Sequence, residues 1–318
     1  MCNLQNTDAI SNLMDAATYA GADREIFKNK DNGFMLVDKN KILSLNKIKG
    51  LNVDATEIPN GIKAKITVLK DHRLDKPVHL CFGITGTTGE QVIDTEIVLE
   101  ENSEVKLISY CSFPKAIDVK HKMKSIVKIG KNAKMVYEEV HFHGQDGGVT
   151  ILPYTEGHIE ENGYMKSEFK LVNGRVGKID LVYDFKLDKY AIAEMDSKIY
   201  ATKNDYIKIT EKMYLNGEGS RGTVKARVFA ADETYSEVYT EIHGNAPHAK
   251  GHVDCIEVVK GDKAIVSAVP IIRVTNDLAE LTHEASIGRV NKKELETLMA
   301  RGLTEDEATD MIVKGMLK

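Results

Sequence analysis

Between residues 34 and 281 the sequence repeats one device: a short run alternates apolar and polar residues, and Gly, Asn or Asp closes it. Such runs occupy 64–69, 92–99, 105–110, 125–129 and 134–140, then 164–172, 178–185, 191–201, 206–215, 223–230, 237–242, 254–259 and 265–270. A period of two sends successive side chains to opposite faces of an extended chain, so each run reads as a β-strand. Turn pairs such as Asn102-Ser103, Lys131-Asn132, Asn162-Gly163, Lys203-Asn204, Gly261-Asp262 and Asn276-Asp277 separate many of them. No long helical stripe intervenes, so this stretch is all-β. Strand–short turn–strand units suit a stacked solenoid or a large sandwich, and periodicity alone does not choose between them.

The two ends read differently. Ile10, Leu13, Met14 and Ala17 recur at helical spacing after Thr7, a suitable N-cap, and the polar segment 21–33 follows as a loop. Near the other end Asn291 caps a stripe of Leu295, Leu298 and Met299, and Gly302 stops it after Arg301. Thr304 and Glu307 form a capping box for a second stripe of Ala308, Met311, Ile312 and Met316. Helices over 292–301 and 305–315 are therefore expected. Short helices with one apolar face are not stable alone in water and must pack on the body, on a partner, or on both. Leu295, Leu298, Met299, Met311, Ile312 and Met316 are the candidates for a partner-facing patch. The expected organisation is an N-terminal helical and irregular segment over 1–59, a β core over 60–286, and a C-terminal helical segment over 287–318.

Bulk properties exclude several functions. A chain of 318 residues can bury a large core. Its net charge of -5 argues against nucleic acid as the main partner. No apolar run approaches the length of a membrane span, and the first residues lack the basic and apolar regions of a signal peptide, which sets the expectation of a cytoplasmic protein. The four cysteines, Cys2, Cys81, Cys111 and Cys255, form no CxxC, against a disulfide framework or a zinc knot. The glycine-rich stretch 83–89 lacks the GK[ST] of a phosphate loop, so ATP chemistry would have to come from another chain.

Four places carry residues that could do chemistry. Cys111 shares strand parity with Val105 and Leu107, which fits a small buried residue as well as a reactive thiol. Glu139, His141 and His143 project to one face of their strand, either as divalent-metal donors or as a solvent-facing polar stripe. The densest cluster of possible ligands runs over 241–257, with Glu241, His243, His248, His252, Asp254, Cys255 and Glu257. Thiolate with imidazole or carboxylate suits iron. His283 shares parity with Leu281 and Ala285, while Glu284 falls on the other side with Thr282.

The C-terminal stretch resembles that of the SufB/SufD family of iron–sulfur cluster assembly scaffolds. The shared residues are His283-Glu284-Ala285, Ser286-Ile287-Gly288, Arg301-Gly302-Leu303, Glu307-Ala308 and Ile312-Val313-Lys314-Gly315. The segment Tyr110-Cys111-Ser112-Phe113-Pro114, followed by His121, looks like the part of SufB that bears the sulfur-accepting cysteine. The resemblance is strong over 250–318 and patchy over 105–145, and it favours a SufB-like protein of minimal, archaeal type.

The resemblance implies a mainly β protein, a right-handed parallel β-helix flanked by helices. It implies a scaffold that assembles and transfers iron–sulfur clusters, not an enzyme. Cys111 would accept sulfur and pass it along the helix core. His283 and Glu284 would lie beside the cluster site, where two scaffold subunits meet. Bacterial SufB carries a further cysteine at the position of Ala264, so Cys255 is the available thiolate here, with His252 and Asp254 as neighbouring candidates. Thr282 stands where some relatives have an acidic residue. The implied cargo is a [4Fe–4S] cluster in preference to [2Fe–2S]. The implied partners are a SufC-like ABC ATPase on the C-terminal helices, a second scaffold subunit giving a two-plus-two complex, and recipient apo-proteins, with no nucleic acid and no membrane. Two rivals remain: a SufD-like structural subunit without a cluster, and a β-helix enzyme acting on polysaccharide.

Overall fold

The computed structural model describes residues 4–317. Helix α1 (Leu4–Tyr19) opens the chain, and Thr7 lies within it instead of capping it. The loop that follows contains a short 3-10 turn, Arg24–Phe27, whose first free amide is satisfied by the Asp23 carboxylate. Strands begin at Phe34, so the β structure starts inside the segment 1–59.

Among the described residues nineteen strands form two sheets of ten and nine. From Val78 on, neighbours within each sheet are alternate strands in sequence and run parallel, so the chain winds from one sheet to the other and back. The result is a parallel β-solenoid of about eight turns. A sandwich would need antiparallel partners throughout. Only Phe34–Asp38 with Lys41–Asn46, and Leu51–Ile58 with Gly61–Val68, pair that way, at the first end of the stack.

One sheet stacks Glu104–Phe113, Lys134–His143, Tyr164–Asn173, Ile192–Ala201, Arg221–Ala231, Lys250–Lys260 and Glu280–Gly288. The other stacks Thr88–Leu99, Asp118–Ile129, Val149–Ile159, Lys178–Leu187, Tyr206–Leu215, Tyr235–Gly244 and Ile265–Val274. The turn residues explain the repeat. Asn102, Asn132 and Asn162 each adopt a left-handed φ, of 59°, 56° and 58°. Asparagine tolerates this conformation, and Asn132 Nδ2 also donates to Asn102 Oδ1 at 3.0 Å, one turn below.

The inner faces of the two sheets close over a continuous lumen packed with Ile93, Leu107, Ile151, Ile179, Leu181, Ile207 and Val224. Each such side chain stabilises the fold by roughly 1.5–3 kcal/mol. The outer faces carry rung-to-rung pairs such as Lys106 with Glu138 and Lys128 with Glu96, both at 2.8 Å. Exposed pairs of this kind contribute about 0–1 kcal/mol, so the lumen holds the fold.

Helices α2 (Lys292–Met299) and α3 (Glu305–Met316) follow the last strand. Asn291 caps α2, Gly302 at φ 97° turns the chain, and Thr304 with Glu307 completes the capping box. Helix α3 folds back on the outside of the solenoid, where Val313 and Leu317 pack with Phe229, Tyr200 and Val258. Met316 joins that body contact, so it is not wholly available to a partner. Met299 and Met311 stay exposed, while Leu295, Leu298 and Ile312 are half-buried. No helix of the described residues is long and apolar enough to cross a membrane.

Candidate functional site

The lumen is not uniformly apolar. Cys111 lies on its inner face, fully buried, and its register partner one turn on is His141. Glu139, His141 and His143 are buried on the same face, which overturns the solvent-facing reading of that stripe. The signal was present: Met135 and Tyr137 share their parity.

These side chains form a chain of contacts. Tyr137 Oη donates to Glu139 Oε2 at 3.1 Å, and Glu139 Oε1 lies 2.7 Å from His141 Nε2. His141 Nδ1 faces His143 Nε2 at 3.4 Å, and His143 Nδ1 donates to the Val176 carbonyl at 3.0 Å. Gly174 shapes this corner. Its φ is 81°, and a Cβ there would fall 1.7 Å from the His143 carbonyl oxygen, so only glycine fits. The donor atoms of Cys111, Glu139 and His141 all lie within 4.8 Å of one another. Burial, reinforced by the Glu139 carboxylate, pushes the Cys111 thiol well above its usual range. Burial also lowers His143 to about 3.

From this pocket a polar seam follows the solenoid axis. On one sheet the register runs Ser109, Glu139, Phe169, Ser197, Ala226 and Cys255. On the other it runs Thr95, Ser125, Thr155, Tyr183, Glu211 and Thr240. Five rung steps of about 4.8 Å each put Cys255 about 24 Å along the stack from the Cys111 strand. Ser197 Oγ donates to Glu211 Oε1 at 2.6 Å, and Ser236 Oγ to Glu257 Oε2 at 2.8 Å. Thr240 Oγ1 lies 3.8 Å from Cys255 Sγ. The second oxygens of Glu211 and Glu257 and the Tyr183 hydroxyl have no partner among the described residues. Burial raises both Glu211 and Glu257 to about 7, and Cys255 to about 11. Tyr183, Ser197, Glu211 and Thr240 were not singled out from the sequence. The available signal was a polar residue at an inward position, as in Ile207, Ile209, Glu211, Met213.

Strand alternation divides the C-terminal candidates. Cys255 and Glu257 face the lumen. His283 pairs with Val253 and so shares their face, and Ala285 beside Cys255 leaves room there. His252 and Asp254 face outward: His252 Nδ1 meets Thr282 Oγ1 at 2.8 Å, and Asp254 is ion-paired with Arg227. Glu284, the partner of Asp254, also belongs to the outer face. A tetrahedral ligand set from one chain therefore cannot combine Cys255 with His252, Asp254 and Glu284, because they lie on opposite faces of one sheet. His243 and Glu241 pair with each other at 2.8 Å, also outside the lumen. Among the described residues nothing stacks beyond Ile265–Val274 and Glu280–Gly288, and Ile265, Val269, Val274 and Ile287 are exposed there. His283 sits at this open end. Cys2 lies outside the described residues.

Residues 82–316 match the family described as SUF system FeS cluster assembly, SufBD core domain. The chain is 42% identical over 310 residues to an iron–sulfur cluster assembly SufBD family protein of Methanocaldococcus jannaschii, covering 98% of each. It is 39% identical over 305 residues to one of Pyrococcus horikoshii, covering 96% of this chain and 92% of the relative. A third, from Archaeoglobus fulgidus, is 28% identical over 283 residues, covering 87% and 73%.

Proposed function

The chain belongs to the SufBD family of iron–sulfur cluster assembly proteins, and from that premise we propose that it is a SufB-like cytoplasmic scaffold that builds a cluster and hands it to apo-proteins. The observation that carries this reading is the polar seam between Cys111 and Cys255. An inert solenoid would fill those positions with aliphatic side chains.

Cys111 is the sulfur acceptor. Its thiol attacks the outer sulfur of a donor persulfide, R–S–SH, giving Cys111–S–SH and RSH. The Cys111 proton passes to the Glu139–His141 pair and then to the leaving thiolate, which offsets the raised thiol pKa. Two electrons from an external thiol reductant, with one proton, release the sulfur as HS⁻ and restore the Cys111 thiol. The seam then offers HS⁻ a polar route to the open end.

There Cys255, Glu257 and His283 share one face, and thiolate, carboxylate and imidazole suit iron. The cluster, [4Fe–4S] in preference to [2Fe–2S], is cargo. A second copy of the chain seated on the exposed end supplies the remaining ligands, with Glu284 at the rim. A SufC-like ATPase docks on α2 and the exposed part of α3, through Leu295, Leu298, Met299, Met311 and the uncovered side of Ile312.

Anaerobic reconstitution with iron and free sulfide tests the site. The chain is expected to develop sulfide-to-iron absorbance, and Cys255→Ser to lose most of it while melting as the parent does. Full cluster content in Cys255→Ser contradicts the ligand assignment. No cluster in the parent chain favours a SufD-like structural subunit.

A further inference from the structure

The hydrogen-bond chain around Cys111 fixes which nitrogen of His141 is basic. The Val176 carbonyl can only accept, so His143 donates to it from Nδ1. In the neutral ring the His143 Nε2 lone pair then faces His141 Nδ1, which donates to it. That leaves the His141 Nε2 lone pair pointing at Glu139 Oε1, 2.7 Å away. Two acceptors at that distance require a positive charge between or beside them, either a proton or a metal ion. Cys111 Sγ completes a group of three donor atoms within 4.8 Å of one another.

A fourth group stands beside them, outside that 4.8 Å group. His121 comes from the facing sheet and is fully buried, and neither of its nitrogens has a partner among the described residues. Its ring centroid lies 6.1 Å from that of His141. A buried imidazole with both nitrogens unpaired loses its water partners without replacement, so the ring calls for a ligand or donor. The arrangement matches a closed metal site in its outer contacts as well. A ligating imidazole normally donates its other N–H to a fixed acceptor, as His141 does to His143.

The structure assigns Cys111, Glu139 and His141, with His121 as fourth donor, as a binding site for one divalent ion of the Zn²⁺ or Fe²⁺ class inside the solenoid. One thiolate, one carboxylate and two imidazoles are the donors such borderline ions take in four-coordination. Binding releases the Cys111 proton and the proton shared by Glu139 and His141. His143 is a positioning residue, holding the His141 tautomer. Where Cys111 accepts sulfur, the ion and the sulfane sulfur exclude each other. That consequence rests on the function proposed above, whereas the site itself does not.

Cobalt(II) is the probe, used without oxygen or any sulfur donor, and added both to the folded chain and during refolding. The parent chain and Cys255→Ser are expected to show a thiolate-to-cobalt charge-transfer band in the near ultraviolet, with the intense visible bands of four-coordination. Cys111→Ser made in the Cys255→Ser background abolishes the ultraviolet band. His121→Gln keeps that band, because the thiolate remains, but loses the intensity of the visible bands. His143→Gln weakens cobalt affinity by roughly ten- to hundred-fold. The assignment is overturned if the parent chain shows no thiolate band under either loading, if the band survives Cys111→Ser in the Cys255→Ser background, or if His121→Gln leaves the visible bands unchanged. A failure of sulfur transfer through Cys111 leaves these spectra unchanged, so the two readings are separable.

Discussion

Tyr200 donates its phenolic hydrogen to the Asp310 carboxylate at 2.6 Å, joining residues 110 positions apart. It fastens α3 to the outside of the solenoid beside Phe229 and Val313. Hydrogen bonds to charged groups contribute about 1.5–3 kcal/mol, and the half-exposed setting puts this one at the lower end. Tyr200→Phe is therefore expected to speed amide exchange over Glu305–Met316 by about tenfold, leaving the strands protected as before. Equal exchange in both proteins would show that packing alone holds the helix.

Glu211 gives the fold a pH dependence. Burial raises its pKa from 4.5 to about 7, so the folded chain binds its proton more tightly than the unfolded chain does. Its contribution is fully present below about pH 4.5 and is lost as pH rises through 7. Glu211→Gln keeps an acceptor for Ser197 and removes the titration. The variant is expected to gain up to about 3 kcal/mol over the parent at pH 8 and almost nothing at pH 4. Denaturant midpoints at the two pH values check this, and a gain of equal size at both would exclude the titration as its cause.

The all-β core and both C-terminal helices were legible because they rest on local rules. Alternation set the strands, Asn102, Asn132 and Asn162 marked corners, and Asn291 and Thr304 announced the caps. The choice of solenoid over sandwich was not local, since it depends on which strands pair, and the resemblance supplied it. The site was legible only in pieces. Cys111 and His141 are 30 residues apart, and only the register makes them neighbours. His252 and Asp254 read as partners of Cys255 because they are close in sequence, yet adjacent strand positions face opposite ways. Parity within that strand already separated them; their distance from Cys255 along the chain did not.

The open end should pair. Ile265, Val269, Val274 and Ile287 expose apolar surface where strand edges and the lumen end together. Val269→Asp would place a charge within that exposed apolar surface. Light scattering is expected to show a dimer for the parent chain and a monomer for the variant. A parent monomer at tens of micromolar would rule out the homodimer.

The tail should dock the ATPase. Helix α2 buries none of its residues, and Met299 and Met311 are exposed. Apolar burial is worth roughly 25 cal/mol per Å² before association costs, so loss of several anchors is decisive. Truncation after Gly288 is expected to abolish co-purification with the ATPase. Undiminished binding would move the docking surface elsewhere.

Sulfur taken up at Cys111 is expected to reach the cluster site through the lumen. Ala226 is the register neighbour of both Ser197 and Cys255, so Ala226→Leu obstructs the seam at about 1–3 kcal/mol of overpacking, which a stack of this size can absorb. The decisive measurement is incorporation of isotope-labelled sulfane sulfur into the cluster, from a persulfide donor with a thiol reductant. Ala226→Leu is expected to load Cys111 as the parent does and to build clusters from free sulfide, yet to incorporate almost no donor sulfur. Donor sulfur entering the cluster at the parent rate in Ala226→Leu would contradict passage through the lumen.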